Sequence, residues 1–127
     1  MQTLTKAERL RSRKTISLLF EKGKVISIHP IKMLWMQTAN KEGAILQFGV
    51  AVPKKNFRKA VDRNRLKRQM REAVRKNKLQ VKKFLEEKNK PCALLLVFTG
   101  KEVAPYKEME DKIILILQRL ISGLNNV

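Results

Sequence analysis

The sequence predicts a one-domain α/β fold of the α+β sandwich type, with helices packed on a mixed sheet in the order α-β-β-β-α-β-α. Three observations predict it. The run Cys92–Phe98 is continuously apolar, which is typical of a central strand. Residues 59–76 and 105–122 each repeat apolar side chains at helical spacing. At 127 residues and 43% hydrophobic, the chain 1–127 is long enough to bury a core. We expect its first 11 residues to be irregular.

The first half of the chain predicts a short helix and then three strands. Ser12 is the predicted N-cap of a helix over 13–22, which Gly23 ends. We expect a bend at His29-Pro30, because proline lacks the N–H that a β-ladder needs, and a turn at Asn40–Gly43. The predicted strands are 24–28, 31–39 and 44–53.

The most informative stretch for function is Lys54–Lys76, which carries +9 of the chain's formal net charge of +18. Within it, residues 59–76 (KAVDRNRLKRQMREAVRK) predict an amphipathic helix with an apolar sector about 100° wide. That sector contains Leu66, Met70, Ala73 and Val74, with Arg63 near its edge and Lys67 just beyond. The opposite side contains Asn64, Arg65, Arg68, Arg71 and Arg75. Like charges three and four residues apart repel each other, and only Glu72 lies close enough to relieve this ladder. We therefore expect the face to bind a polyphosphate.

The last third of the chain predicts a strand and a helix after a charged segment. Residues 77–90 either prolong the basic helix or form a separate segment, with Leu79, Val81 and Leu85 packing locally. The last helix, 105–122, begins at Pro105 and ends before Gly123. Its predicted core stripe is Met109, Ile113, Ile116, Leu117 and Leu120.

Composition excludes several classes of protein. No apolar run reaches transmembrane length, and charged residues near the N-terminus interrupt the apolar region that a signal peptide needs. We therefore expect a cytoplasmic protein without a membrane partner. The single Cys92 excludes an internal disulfide and is expected in the core. The carboxylates are scattered, the single His29 precedes a proline, and no Cys/His metal spacing is present. We therefore expect no catalytic residue, and no cofactor or metal bound by the protein alone.

Three segments resemble one known family. The run Ala60–Glu72 (AVDRNRLKRQMRE) resembles the signature of the bacterial ribonuclease P protein subunit. Val50–Lys55 (VAVPKK) resembles the strand and loop that precede this signature. Arg9-Leu10-Arg11 and Phe20–Gly23 resemble the family's first-helix region. The resemblance covers about residues 4–122 and implies the family's fold, including a left-handed βαβ crossover.

The resemblance implies a protein partner of a catalytic RNA. In this ribonucleoprotein the RNA, with bound Mg²⁺, removes the 5′ leader of precursor tRNA endonucleolytically, and the protein aids substrate and metal binding. The signature helix and the loop before it face the RNA. The residues that match this RNA-facing role are Lys54, Lys55, Arg63, Asn64, Arg65, Lys67, Arg68 and Arg71. No protein partner is implied.

The resemblance also implies that a cleft between the first helix and the sheet takes the leader. Phe20 matches this cleft, while Ile16 stands where family members often have an aromatic residue, so that position offers no ring on which a base could stack. Arg13 and Lys14 supply positive charge on the same helix, and we expect the Phe20 face to point toward the strand that carries Trp35. Phe20 and Trp35 each have two interpretations, a leader contact or a core residue.

Two other classes stay open at this point. A ribosome-associated RNA-binding protein of similar fold would share the basic helix. A helix-turn-helix DNA-binding protein would need a helix, not a strand ending at Pro53, before the basic helix.

Overall fold

The predicted order of helices and strands is confirmed in the computed structural model, which describes residues 8–10, 12–38 and 45–125. The elements are α1 (Arg13–Lys22), β1 (Lys24–Ile28), β2 (Ile31–Gln37), β3 (Leu46–Ala51), α2 (Ala60–Lys88), β4 (Cys92–Phe98) and α3 (Tyr106–Asn125). The turn predicted at Asn40–Gly43 lies outside the described residues.

Strand β4 lies inside a four-stranded mixed sheet of order β1-β2-β4-β3. It runs antiparallel to β2, with Leu95 opposite Leu34, and parallel to β3, with Leu94 opposite Phe48. Adjacent parallel strands cannot be joined by a tight turn, and here α2 makes the crossover from β3 to β4. The left-handed sense of this crossover stays a prediction.

The two faces of the sheet are covered by different helices. Successive side chains of a strand point to opposite faces. Leu94 and Leu96 of β4 therefore join the main core, which includes the apolar faces of α2 and α3. Ala93 and Leu95 point the other way and form a smaller core with Leu34 and with Leu19 of α1. The basic helix thus lies on the opposite side of the sheet from α1.

Helix α1 has the predicted ends. The Ser12 side chain accepts a hydrogen bond of 3.2 Å from the Thr15 N–H, as expected of an N-cap. At the other end, a Cβ on Gly23 would lie 2.3 Å from the Leu19 carbonyl oxygen, so a larger residue would clash with the helix backbone. Glycine therefore lets the chain turn directly from α1 into β1.

Helix α2 is longer than its amphipathic signature. The segment that the sequence left open continues the helix to Lys88, and the helix ends because Asn89 adopts a left-handed conformation with φ of 52°. Val81 and Leu85 are buried, as expected of a helical continuation. Leu79 does not pack locally and is 47% exposed, because it lies on the solvent side of the helix.

Helix α3 has the predicted core stripe, and all five of its residues are buried. Its predicted end before Gly123 is wrong, since the helix continues to Asn125. Leu124 is 1% exposed, so the additional residues bury one more apolar side chain and Gly123 lies within the helix. A Cβ on Gly123 would lie 3.9 Å from the Trp35 ring, which is ordinary van der Waals contact.

Cys92 is buried, as predicted, and its thiol is expected to react slowly. Burial raises the pKa of this thiol to about 11, although the Lys90 ammonium acts in the opposite direction. Because only the thiolate reacts, the native protein at pH 8 should react with an aromatic disulfide reagent about 100-fold or more slowly than the urea-unfolded chain. Below the pKa the thiolate fraction rises about tenfold per pH unit, so the native rate should rise with pH. Equal rates for native and unfolded chain would contradict this burial.

Candidate nucleic-acid interface

The loop before α2 is anchored by two apolar side chains. Val52 and Phe57 are buried, and the Phe57 ring lies 5.7 Å from the Phe98 ring between centroids. The chain between these anchors makes a turn in which the Asn56 N–H donates to the Pro53 carbonyl over 3.3 Å. This geometry exposes the side chains of two residues of the predicted interface, Lys54 and Lys55.

Arg63 ties this loop to the first turn of α2. Its Nη1 donates to the carbonyl oxygens of Phe57, at 2.8 Å, and Arg58, at 2.9 Å. The side chain is half-buried, as its position at the edge of the apolar sector indicated. Sequence reasoning did not predict these contacts. They give Arg63 a structural task, which is to hold the lysine-bearing loop against the helix.

The other α2 residues predicted to face the RNA lie on the outer surface of the helix. The exposed members are Asn64, Arg65, Arg68 and Arg71, and Lys67 is half-buried. We call these five residues, with the loop lysines, the basic face. Lys59 at the N-cap of α2 makes no side-chain capping hydrogen bond, and the helix dipole adds positive potential at this end.

The arginine ladder is relieved at its C-terminal end. Arg75 Nε donates to Glu72 Oε2 over 2.8 Å, which confirms that Glu72 compensates one member of the ladder. This hydrogen bond is the main reason why the pKa of Glu72 is lowered. The uncompensated part of the ladder is therefore its N-terminal part, nearest the basic loop.

A cleft of about 460 Å³ lies on the α1 side of the sheet. Ile16 of α1 and Leu95 of β4 contribute apolar surface, and the backbone of β3 is reachable at Gly49, which has no side chain. Arg9 and Arg71 also line the cleft, so two guanidinium groups accompany the apolar surface. Apolar surface beside a basic track is what unstacked single-stranded nucleic acid requires.

Four predicted leader-contacting residues are on α1, but they do not share one face. Ile16 lines the cleft, and Phe20, one turn later, is 62% exposed, so its core interpretation is wrong. At 100° per residue, Arg13 lies about 20° from Phe20 around the helix, whereas Lys14 lies about 120° away. Both cations are exposed. Of these two cations, Arg13 is thus the one that lies on the same side of α1 as Phe20.

Trp35 is a core residue, so its interpretation as a leader contact is wrong. Its side chain is only 4% exposed and packs in the main core, away from α1. The prediction that α1 faces strand β2 is confirmed, since Leu34 of β2 packs with Leu19 of α1. The predicted side of β2 for Trp35 was wrong, because neighbouring side chains of a strand point to opposite faces of the sheet. We therefore leave Trp35 out of the interface.

Residues 8–10, the described part of the segment predicted to be irregular, lie outside the named helices and strands but contact β3. Arg9 forms an isolated parallel bridge with Phe48, and the Leu10 N–H donates to the Phe48 carbonyl over 3.0 Å. This pairing brings Arg9 into the cleft. Sequence reasoning missed Arg9, and it placed Arg71 only on the RNA-facing side, because neither residue carries a local signal for a contact with a distant strand.

Within the described residues, no three His, Cys, Asp or Glu side chains are arranged to hold a metal ion. The helices in this part of the chain include none with the length and apolar character needed to cross a bilayer.

Fold and site together define a small basic α+β protein with two cation-bearing surfaces. A family model described as Ribonuclease P matches residues 4–120. The chain therefore belongs to the ribonuclease P protein family, as the sequence resemblance indicated. This match, and the strand that precedes α2, decide against the ribosome-associated and helix-turn-helix alternatives.

Individual relatives agree with the family match. The chain is 33% identical over 107 residues to the ribonuclease P protein component of Porphyromonas gingivalis. The aligned region covers 84% of this chain and 78% of the relative. It resembles the solved RNase P protein of Thermotoga maritima with a TM-score of 0.69 and 26% identity, over 88% of this chain and 96% of that one. The Staphylococcus aureus RNase P protein, at 19% identity, shares the fold with a TM-score of 0.63 over 91% and 96% of the two chains.

Proposed function

We propose that this chain binds the catalytic RNA of ribonuclease P with its basic face and the 5′ leader of precursor tRNA with its cleft. In this cytoplasmic ribonucleoprotein it promotes endonucleolytic removal of the leader during tRNA 5′ maturation. The observation that carries the proposal is that one helix, α2, contributes to both surfaces, since Arg71 belongs to the basic face and also lines the cleft. Family membership supplies the RNA partner.

The basic face suits an RNA backbone. Arg65 and Arg68 are exposed on α2, and the anchored loop presents Lys54 and Lys55 beside the start of the helix. Guanidinium groups bind phosphate oxygens through paired N–H donors. Release of condensed counterions from the RNA would add to the binding free energy.

The chemistry of cleavage is assigned to the RNA and to Mg²⁺ bound there. Several polar groups of the protein are already engaged with each other. Tyr106 donates to Glu110 over 3.2 Å, and burial, followed by the Glu110 carboxylate, raises the pKa of Tyr106 to about 12. Glu110 also accepts from Asn77 over 3.3 Å. These hydrogen bonds contribute to the stability of the fold, which supports the proposal that the chemistry belongs to the RNA.

Reconstitution tests the proposal directly. The protein mixed with a bacterial ribonuclease P RNA at low Mg²⁺ should raise the rate of precursor tRNA cleavage above that of the RNA alone. The purified protein without RNA should not cleave precursor tRNA under single-turnover conditions. Cleavage by protein alone would contradict the assignment of chemistry to the RNA, and a missing stimulation would contradict the proposed function.

Arg65 and Arg68 are expected to act in assembly and not in folding. Arg65→Ala and Arg68→Ala should each weaken binding to the RNA and lower the slope of log affinity against log salt by about one unit or less. Their free energies of unfolding should change by less than about 0.5 kcal/mol, because both side chains are exposed. The measurements are binding titrations at several salt concentrations and urea unfolding.

Three variants calibrate that experiment. Arg119→Ala removes an exposed arginine on α3 and should leave the salt slope unchanged. Arg63→Ala should reduce the free energy of unfolding by roughly 1–3 kcal/mol through lost hydrogen bonds to the loop. Leu66→Ala should reduce it by roughly 2–5 kcal/mol through a core cavity. A double variant of Arg65 and Arg68 with normal affinity and slope would disprove the phosphate role.

Phe20 is expected to contact the leader. Phe20→Ala should weaken precursor tRNA binding by the holoenzyme by up to about 1–3 kcal/mol, the range for base–aromatic stacking. Mature tRNA has no leader, so its affinity should stay constant. Leu115→Ala is the matched control, since Leu115 is 45% exposed on α3. Equal weakening for precursor and mature tRNA would place Phe20 in the assembly surface instead.

A further inference from the structure

A buried ionic cluster joins the N-terminal segment to α2. The Glu8 side chain is 1% exposed, and its Oε1 lies 2.7 Å from the Nζ of Lys78, which is 5% exposed. The Nζ of Lys82, one turn later on α2, lies 3.2 Å from Glu8 Oε2. In the described part of the chain, Glu8 and Lys78 are the two charged residues that are buried.

Burial makes this cluster specific in its geometry. An ammonium or carboxylate taken out of water is stable only if its partner stays in place. If residues 8–10 moved away from α2, Lys78 would lose its carboxylate while its ammonium remained buried. The cluster therefore holds the N-terminal segment in one position more strictly than an exposed ion pair would.

The segment that the cluster holds is a wall of the cleft. Arg9 and Leu10 follow Glu8 directly and both line the cleft. They pair with β3 at Phe48, and the Leu10 Cβ lies only 3.5 Å from where a Cβ of Gly49 would be. A shift of the segment would therefore move the Arg9 guanidinium and alter the width of the cleft.

The anchor and the cleft also share the same side of α2. Lys78 follows Arg71 by seven residues, which is about two helical turns and returns to nearly the same direction. Arg71 lines the cleft, as do Arg9 and Leu10 of the segment that Lys78 holds. A movement of the segment relative to α2 would therefore change the spacing between the Arg9 and Arg71 side chains.

We propose that Glu8 is a positioning residue for leader binding, which it controls by fixing the Arg9–Leu10 wall through Lys78 and Lys82. Glu8 does not contact the leader. The inference rests on the proposed function of the cleft as the leader site, and it adds a determinant of how precursor tRNA is distinguished from mature tRNA.

The test measures this distinction in the reconstituted holoenzyme, with precursor tRNA and mature tRNA as the two ligands. Glu8→Gln preserves the side-chain size and removes the charge. It should lower the ratio of precursor to mature affinity about fivefold or more, the lower end of usual coupling between sites. Hydrogen exchange of the Leu10 amide should accelerate, because the segment separates from β3 more often. Glu72→Gln removes a carboxylate that pairs within α2 and should leave the affinity ratio unchanged.

A second variant covers the possibility that Glu8→Gln does not fold. Glu8→Asp retains the charge and shortens the reach by one methylene, so it should lower the affinity ratio in the same direction by a smaller factor. A purely structural role predicts a lower melting temperature with an unchanged ratio, and that result in whichever variant folds would overturn the proposal.

Phe20→Ala, measured in parallel, separates two failures. If Phe20→Ala lowers the ratio and the Glu8 variants do not, only the role of Glu8 is wrong. If none of these variants lowers it, the leader function of the cleft is wrong as well, and the proposal falls with it.

Discussion

The burial of β4 on both faces is the constraint on which the remaining structure depends. Its residues alternate between a core shared with α2 and α3 and a core shared with α1, so neither face of the sheet can be left to water. The parallel neighbour β3 then requires a crossover, and α2 makes it. Both candidate surfaces follow from this arrangement, because α2 carries the basic face while α1 and β3 enclose the cleft on the other side of the sheet.

Helix α2 therefore serves stability and recognition with different sides of one cylinder. Leu66 and Met70 are fully buried, while Arg65 and Arg68 point to solvent. Repulsion along the arginine ladder opposes folding by a few tenths of a kcal/mol per pair, which a large core easily offsets. A bound polyanion would remove this repulsion. The free energy given up in the isolated protein would thus be regained on assembly with RNA.

Arginines of similar appearance in the sequence have different tasks in the structure. Arg63 donates to two loop carbonyls, Arg75 pairs with Glu72, and Arg71 reaches the cleft. Arg65 and Arg68 are exposed on the outer surface of the helix. Residues of like charge in one helix therefore have four different roles. One holds the loop, one pairs with a carboxylate, one lines the cleft, and the others face solvent. Substitutions at these positions should separate accordingly into effects on folding and effects on binding.

The sequence by itself determined the order of elements, the core stripes of α2 and α3, the burial of Cys92 and the family, because local periodicity and a contiguous signature carry that information. The tertiary structure alone decided which face of β2 bears Trp35, that Arg9 and Arg71 meet in one cleft, and that Glu8 pairs with Lys78. These contacts join residues far apart along the chain, so no local pattern encodes them. They exist only because β3, β4 and α2 pack in one register, and that register is a property of the folded chain as a whole.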